Sequence, residues 1–191
     1  QMKKLLILLC AAALVSLGAG TALALTDTAT HDATITINEV ALIGLDDTAA
    51  LEWTIDAPTS GTPGDEFSVT DPADATKFLQ YTSIVSSTTT RTITVEIDAD
   101  LPSGLVIAIA PTDASNCGDL GTSADVDLST TGAAQNLVTG IGSGYTGTTA
   151  DTHGVQLDFT LDYNPDLCTI AGSIFEDEDT TVTLTYTLTE D

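Results

Sequence analysis

The tightest constraint in this chain is a period of two. In "ATITINEV" (Ala33 to Val40) Ala33, Ile35 and Ile37 alternate with Thr34, Thr36 and Asn38. "TRTITVEID" places Ile93, Val95 and Ile97 against Thr92, Thr94 and Glu96. "GVQLDFTLDY" sets Val155, Leu157, Phe159, Leu161 and Tyr163 on one face. "TTVTLTYTLTED" sets Val182, Leu184, Tyr186 and Leu188 on one face and threonines on the other. Successive side chains of a strand point to opposite sides, so this pattern with β-branched residues predicts strands buried on one face. "LEWTID", "FLQYTSIV" and "ADVDLS" are shorter candidates, and "GLVIAIA", apolar on both faces, suits the middle of a sheet.

Turn-forming clusters separate these runs, among them "APTSGTPGDE", "DPAD", "DLPSG", "PTDASNCGDLGTS" and "YNPDL". Beyond the first residues no long window has a helical period. The expected fold is all-β, an antiparallel β-sandwich of immunoglobulin-like or jelly-roll type. Neither a solenoid repeat nor a linker divides it.

The first residues differ. Lys3 and Lys4 precede an apolar run from Leu5 to Leu17, and small residues ending in "TALA" follow. A positive start, an apolar middle and an A-x-A-like end form the layout of a secretory signal. Residues 1–24 are therefore predicted to be a signal peptide and 25–191 a single domain. A retained membrane anchor is the competing reading, but no stop-transfer charges follow. Stable membrane insertion after cleavage is not expected, and the protein is expected outside the cell or at its surface.

The 191-residue chain holds 28 Asp plus Glu against 4 Lys plus Arg, a net charge of -24. Without the leading lysines only Lys77 and Arg91 are basic. Such a surface repels phosphate, which excludes the electrostatic mode of nucleic-acid binding. Low aromatic content with high acidity can signal disorder. The 42% hydrophobic residues and their patterning argue against it here.

"GIGSGYTG" (Gly140 to Gly147) contains the spacing of a dinucleotide loop. That chemistry needs a helix N-terminus aimed at the pyrophosphate, and a further strand follows instead. No lysine follows the glycines, which also excludes a phosphate-cradling P-loop. The motif is expected to be a wide turn or bulged hairpin, with Tyr145 packed. His31 and His153 offer no nucleophile elbow and no zinc spacing, so catalysis is not expected and a hydrolase is a distant third reading. The lone Trp53 reads as a core residue, since a sugar platform usually shows several aromatics.

Calcium is the best-defined ligand hypothesis, because Ca²⁺ takes several oxygens from flexible loops. The candidate ligands for a structural site are Asp98, Asp100, Glu176, Asp177, Glu178 and Asp179. Solvated acidic turns are the plainer reading in so acidic a chain. Cys117 and Cys168 form an even pair in an exported chain, which reads as a disulfide, with two buried thiols as the alternative. Closing a loop of about fifty residues would contribute about 4 kcal/mol.

The opening segment, 25–45, is expected to be an edge or donor strand. Ala33, Ile35, Ile37, Val40 and Leu42 would be its assembly residues, adding to the sheet of a neighbouring copy. The C-terminal strand, ending at Asp191, is its natural edge partner. A head-to-tail arrangement of this kind makes a homopolymer. A plain monomer with both strands in its own sheets is the alternative.

"LVTGIGSGYTG", "HGVQLDFTLDY", "TVTLTYTLTED" and the "ATITINEVALIGL" opening resemble a largely uncharacterised family of small exported bacterial proteins. The resemblance implies secretion and a β-sandwich, and carries no catalytic residues. Some relatives would have a cysteine where this chain has Gly144. The functional expectation is a non-enzymatic subunit of an extracellular filament, fimbria or surface assembly. A monomeric secreted or periplasmic binding module for calcium or glycan is the alternative.

Overall fold

The computed structural model describes residues 28–65, 67–163 and 179–191. The predicted signal segment lies outside these residues, as do Cys168 and Glu176 to Glu178. The chain divides into two units, 1–36 and 37–191. In the first, the described residues 28–36 form neither strand nor helix and are exposed.

The second unit is all-β and its strand pairs are antiparallel, as the period of two predicts. Thirteen strands follow in order among the described residues: β1 (Val40–Leu45), β2 (Thr54–Asp56), β3 (Ser68–Thr70), β4 (Thr76–Ile84), β5 (Arg91–Ile97), β6 (Leu105–Thr112), β7 (Cys117–Gly118), β8 (Thr122–Ser123), β9 (Val126–Leu128), β10 (Gln135–Ile141), β11 (Gly144–Tyr145), β12 (Val155–Tyr163) and β13 (Leu184–Glu190). No helix occurs among the described residues, so none there is long and apolar enough to cross a membrane.

The larger sheet is organised by β4. One edge of β4 pairs with β1, in a register running from Val40 opposite Ile84 to Leu45 opposite Leu79. Its other edge is shared: β12 pairs with residues 76–79 and β11 with Thr82 and Ser83. Beyond β12 lie β6 and then β9, and beyond β11 lies β7. The second sheet runs β13, β5, β10, β8. β2 and β3 pair separately.

Alternation places one face of each long strand in a shared core. Leu79 and Tyr81 of β4, Ile107 and Ile109 of β6, and Leu157 of β12 meet Ile93 and Val95 of β5 and Leu137 of β10. Both larger sheets thus line one apolar interior, where each fully buried aliphatic side chain contributes roughly 1.5–3 kcal/mol. β6 lies between β12 and β9, the mid-sheet place its apolar sequence suggests. Trp53 packs against this core, as expected of a lone tryptophan.

Two expectations are corrected. The opening strand does not begin at Ala33. Residues 28–39 have no strand partner, and pairing starts at Val40, where β4 supplies an edge. Alternation marks a segment as able to form a strand, but the ladder needs a second strand.

The glycine motif is also different in kind. Its first residues end β10 in one sheet and its next pair forms β11 in the other, so the chain changes sheets here rather than closing a hairpin. The passage is tight: a Cβ at Gly142 would lie 2.9 Å from Asp119 Cβ, and one at Gly144 would lie 2.7 Å from the Cys117 carbonyl oxygen. Tyr145, expected to pack, is half exposed. The buried side chain is Thr146, at 1% exposure. In a two-residue strand with the pleat fixed by Gly144, adjacent residues face opposite ways, and the inward place falls to the threonine.

Candidate assembly surface

The residues named for assembly divide at Glu39. Ala33, Ile35 and Ile37 precede it and are exposed, Ile35 at 86% and Ile37 at 76%. Val40 and Leu42 follow it and belong to β1, paired with β4 of the same chain. Leu42 nevertheless points outward, at 63% exposure. A single exposed isoleucine is ordinary, but two at i and i+2 in an uncharged segment make an unpaired apolar strand face.

Two buried cations stand near the start and the end of β1. Arg91, the first residue of β5, is buried and pairs with Glu39. Lys77 of β4 is buried and pairs with Asp47, with Asp74 4.0 Å away. The ammonium of Lys77 holds the Asp47 carboxyl below its usual range. Asp46 caps the same corner: its Oδ1 accepts the Phe78 N–H at 2.8 Å, and its Oδ2 accepts the Asp151 N–H at 3.0 Å. These contacts hold β1 in its own sheet from Val40 onward.

β1 ends one side of the larger sheet, β13 ends the second sheet, and the two lie side by side. Neither has a partner on its outer edge among the described residues. Their inward side chains, Ile43 and Leu45 on β1 and Leu184, Tyr186 and Leu188 on β13, pack on the core yet stay only half buried. One strand further in, Ile93 and Val95 are fully buried. Burial still pushes the Tyr186 phenol well above its ordinary value.

Two of the calcium candidates are each engaged by a backbone amide. Asp98 Oδ1 accepts the Thr183 N–H at 2.6 Å, and Asp100 Oδ1 accepts the Thr131 N–H at 2.6 Å. Each carboxyl is held below its usual range by that backbone hydrogen bond. Two neighbouring aspartates thus cap two different loops. Asp179 is exposed, and Glu176, Asp177 and Glu178 lie outside the described residues. Among the described residues no three carboxylate, imidazole or thiol groups are placed to share a metal ion. A depression of about 590 Å³ carries Asp71, Asp127 and Asp162.

Cys117 is exposed on β7, opposite Tyr145. Its proposed partner Cys168 lies outside the described residues, so no bridge is seen. His153 is a loop residue: its Nδ1 accepts the Thr149 N–H at 3.3 Å and backs Gly147. His31 lies in the exposed lead.

Sequence reasoning missed Thr146. Its N–H donates to the Tyr81 carbonyl at 3.0 Å and its hydroxyl accepts the Tyr81 N–H at 3.0 Å. Its own carbonyl is taken by Asn116 Nδ2 at 3.0 Å. The hydroxyl therefore substitutes for a backbone acceptor in the gap between β11 and β12. A threonine closing a glycine-rich run before the next strand was the available signal.

No family model, curated protein or solved structure matches the chain.

Proposed function

We propose that this chain is an exported, non-enzymatic structural protein, a β-sandwich subunit of an extracellular filament, fimbria or surface assembly. Copies join by strand addition: the lead before β1 completes the sheet of a neighbour and makes a homopolymer. The observation that carries this reading is the exposed alternation of Ile35 and Ile37 in a segment without a strand partner. Burying two isoleucines contributes roughly 3–6 kcal/mol before any backbone ladder forms. The donor is narrower than 25–45, because Val40 to Leu45 is committed to β4. Export also makes a Cys117–Cys168 bridge part of the proposal.

Negative-stain microscopy and size-exclusion chromatography of the mature protein test it. The expected result is concentration-dependent polymers, abolished by deleting residues 25–38 while the β-domain keeps its circular dichroism. Monodisperse particles at every concentration would refute it.

A further inference from the structure

The two lateral sides of the β-domain are finished differently. On one side lie β8 and β9, of two and three residues, with Asp125 and Asp127 in and beside β9. Short strands and charges are the ordinary means of blunting a sheet edge. On the other side lie β1 and β13, of six and seven residues, in unbroken register with their inner neighbours. Neither contains a proline, and Glu190 is their one charged residue. A chain with 28 acidic residues has left its longest edges neutral. These same edges flank the half-covered side chains Ile43, Leu45, Leu184, Tyr186 and Leu188.

The chain also carries a segment of matching character. Ala33 to Asn38 is six residues without charge, apolar on one face and hydroxyl or amide on the other. At about 3.3 Å per residue it spans about 20 Å, close to the length of β13. Its neutrality matters, because two copies that each carry 28 Asp plus Glu repel through almost any other surface.

We infer that the outer edge of β13 is the acceptor for the Ala33–Asn38 segment of a second copy. Ile35 and Ile37 then lie over the open apolar seam between β13 and β1, and the lead's threonines continue the outward threonine face of Thr185, Thr187 and Thr189. This inference rests on the strand-addition reading and specifies its receiving surface.

The test mixes two chains, each with Cys117→Ser and Cys168→Ser. One adds Thr36→Cys, and the other adds Thr185→Cys, Thr187→Cys or Thr189→Cys on β13. The positions that gain a cysteine are exposed, so the fold should tolerate those changes. Mild oxidation should give disulfide-linked pairs between lead and β13, identified by peptide mass. Asp127→Cys on β9 and Leu42→Cys on the outward face of β1 serve as the other edges. Polymers whose lead cross-links to β9 or β1 and never to β13 overturn the acceptor and leave strand addition standing. Absence of any polymer from the unsubstituted protein overturns both.

Hydrogen exchange on the unsubstituted protein gives a second readout independent of the cysteines. Outward β13 amides should slow on the order of a hundredfold or more in the polymer relative to the monomer. Unchanged exchange along β13 in a polymer that forms overturns the acceptor alone.

Discussion

Replacing Thr146 with valine keeps the shape of the side chain and removes one oxygen. That oxygen accepts the Tyr81 N–H in the middle of β4, and Thr146 is 1% exposed. Water cannot reach the orphaned donor, and the Thr146 carbonyl is already held by Asn116. An unsatisfied buried N–H costs about 1–3 kcal/mol, so Thr146→Val should destabilise by about 2 kcal/mol. Thr146→Ser keeps the oxygen and loses one buried methyl, a loss of about 1 kcal/mol. In a domain of this size each kcal/mol moves the melting temperature by about 2–4 °C. The valine variant should therefore melt about 4–8 °C lower, and the serine variant about half as far below the parent. Urea unfolding gives the free energies directly, and calorimetry gives the melting shift. A valine variant as stable as the parent, or a serine variant less stable than the valine one, would refute the hydrogen-bond argument and leave packing as the residue's role.

Other outcomes follow from the same geometry. Asp113 is held below the usual carboxylate value of 3.8, first by the Ser123 hydroxyl and then by its N–H. A depressed carboxyl contributes stability above its unfolded pKa and loses it as pH falls through the folded one. The stability gap between the parent and Asp113→Asn should therefore be full at about pH 7 and shrink as pH drops below 3.8, read as melting temperature against pH. For the buried pair, Asp47→Ala should destabilise more than Lys77→Met. The first leaves a buried ammonium with only Asp74 nearby, whereas the second leaves a carboxylate that water can reach. Chemical denaturation of both variants gives the order, and the reverse order would contradict it. Gly154 has φ +134° and an added Cβ would lie 2.7 Å from the Leu79 carbonyl oxygen, so Gly154→Ala should cost about 1–3 kcal/mol. Gly61→Ala, at φ +66° with open space around it, should cost less in the same urea titration.

The sequence made the strands legible wherever burial is one-sided. In β5, in β12 as far as Leu161 and in β13 the alternation places the inward residues correctly, because a period of two leaves only one choice of face. It could not show which strands pair, since pairing is decided between segments far apart in the chain. Ala33 to Glu39 illustrates the limit: it alternates as well as β5 does, yet it has no strand neighbour among the described residues. The glycine motif illustrates another. Its composition identified a backbone device, but the change of sheet depends on Asp119 packed against Gly142 and on the Cys117 carbonyl of β7 packed against Gly144. The pair Asp98 and Asp100 shows a related limit. Asp98 and Asp100 are close in sequence, but their oxygens serve amides on different loops.

Both basic side chains of the β-domain, Lys77 and Arg91, face inward and are held by their own carboxylates. Outward, the described part of the molecule therefore offers no lysine or arginine to attract the carboxylates of another copy. Two such particles meet as colloids of one sign, and dissolved salt sets how closely they approach. At about 0.01 M their fields extend about 30 Å, and at about 1 M only about 3 Å. A neutral edge can dock only after that barrier has contracted. For the proposed assembly, salinity would therefore control whether copies meet: dilute water should keep them dispersed, and brine should let their edges touch.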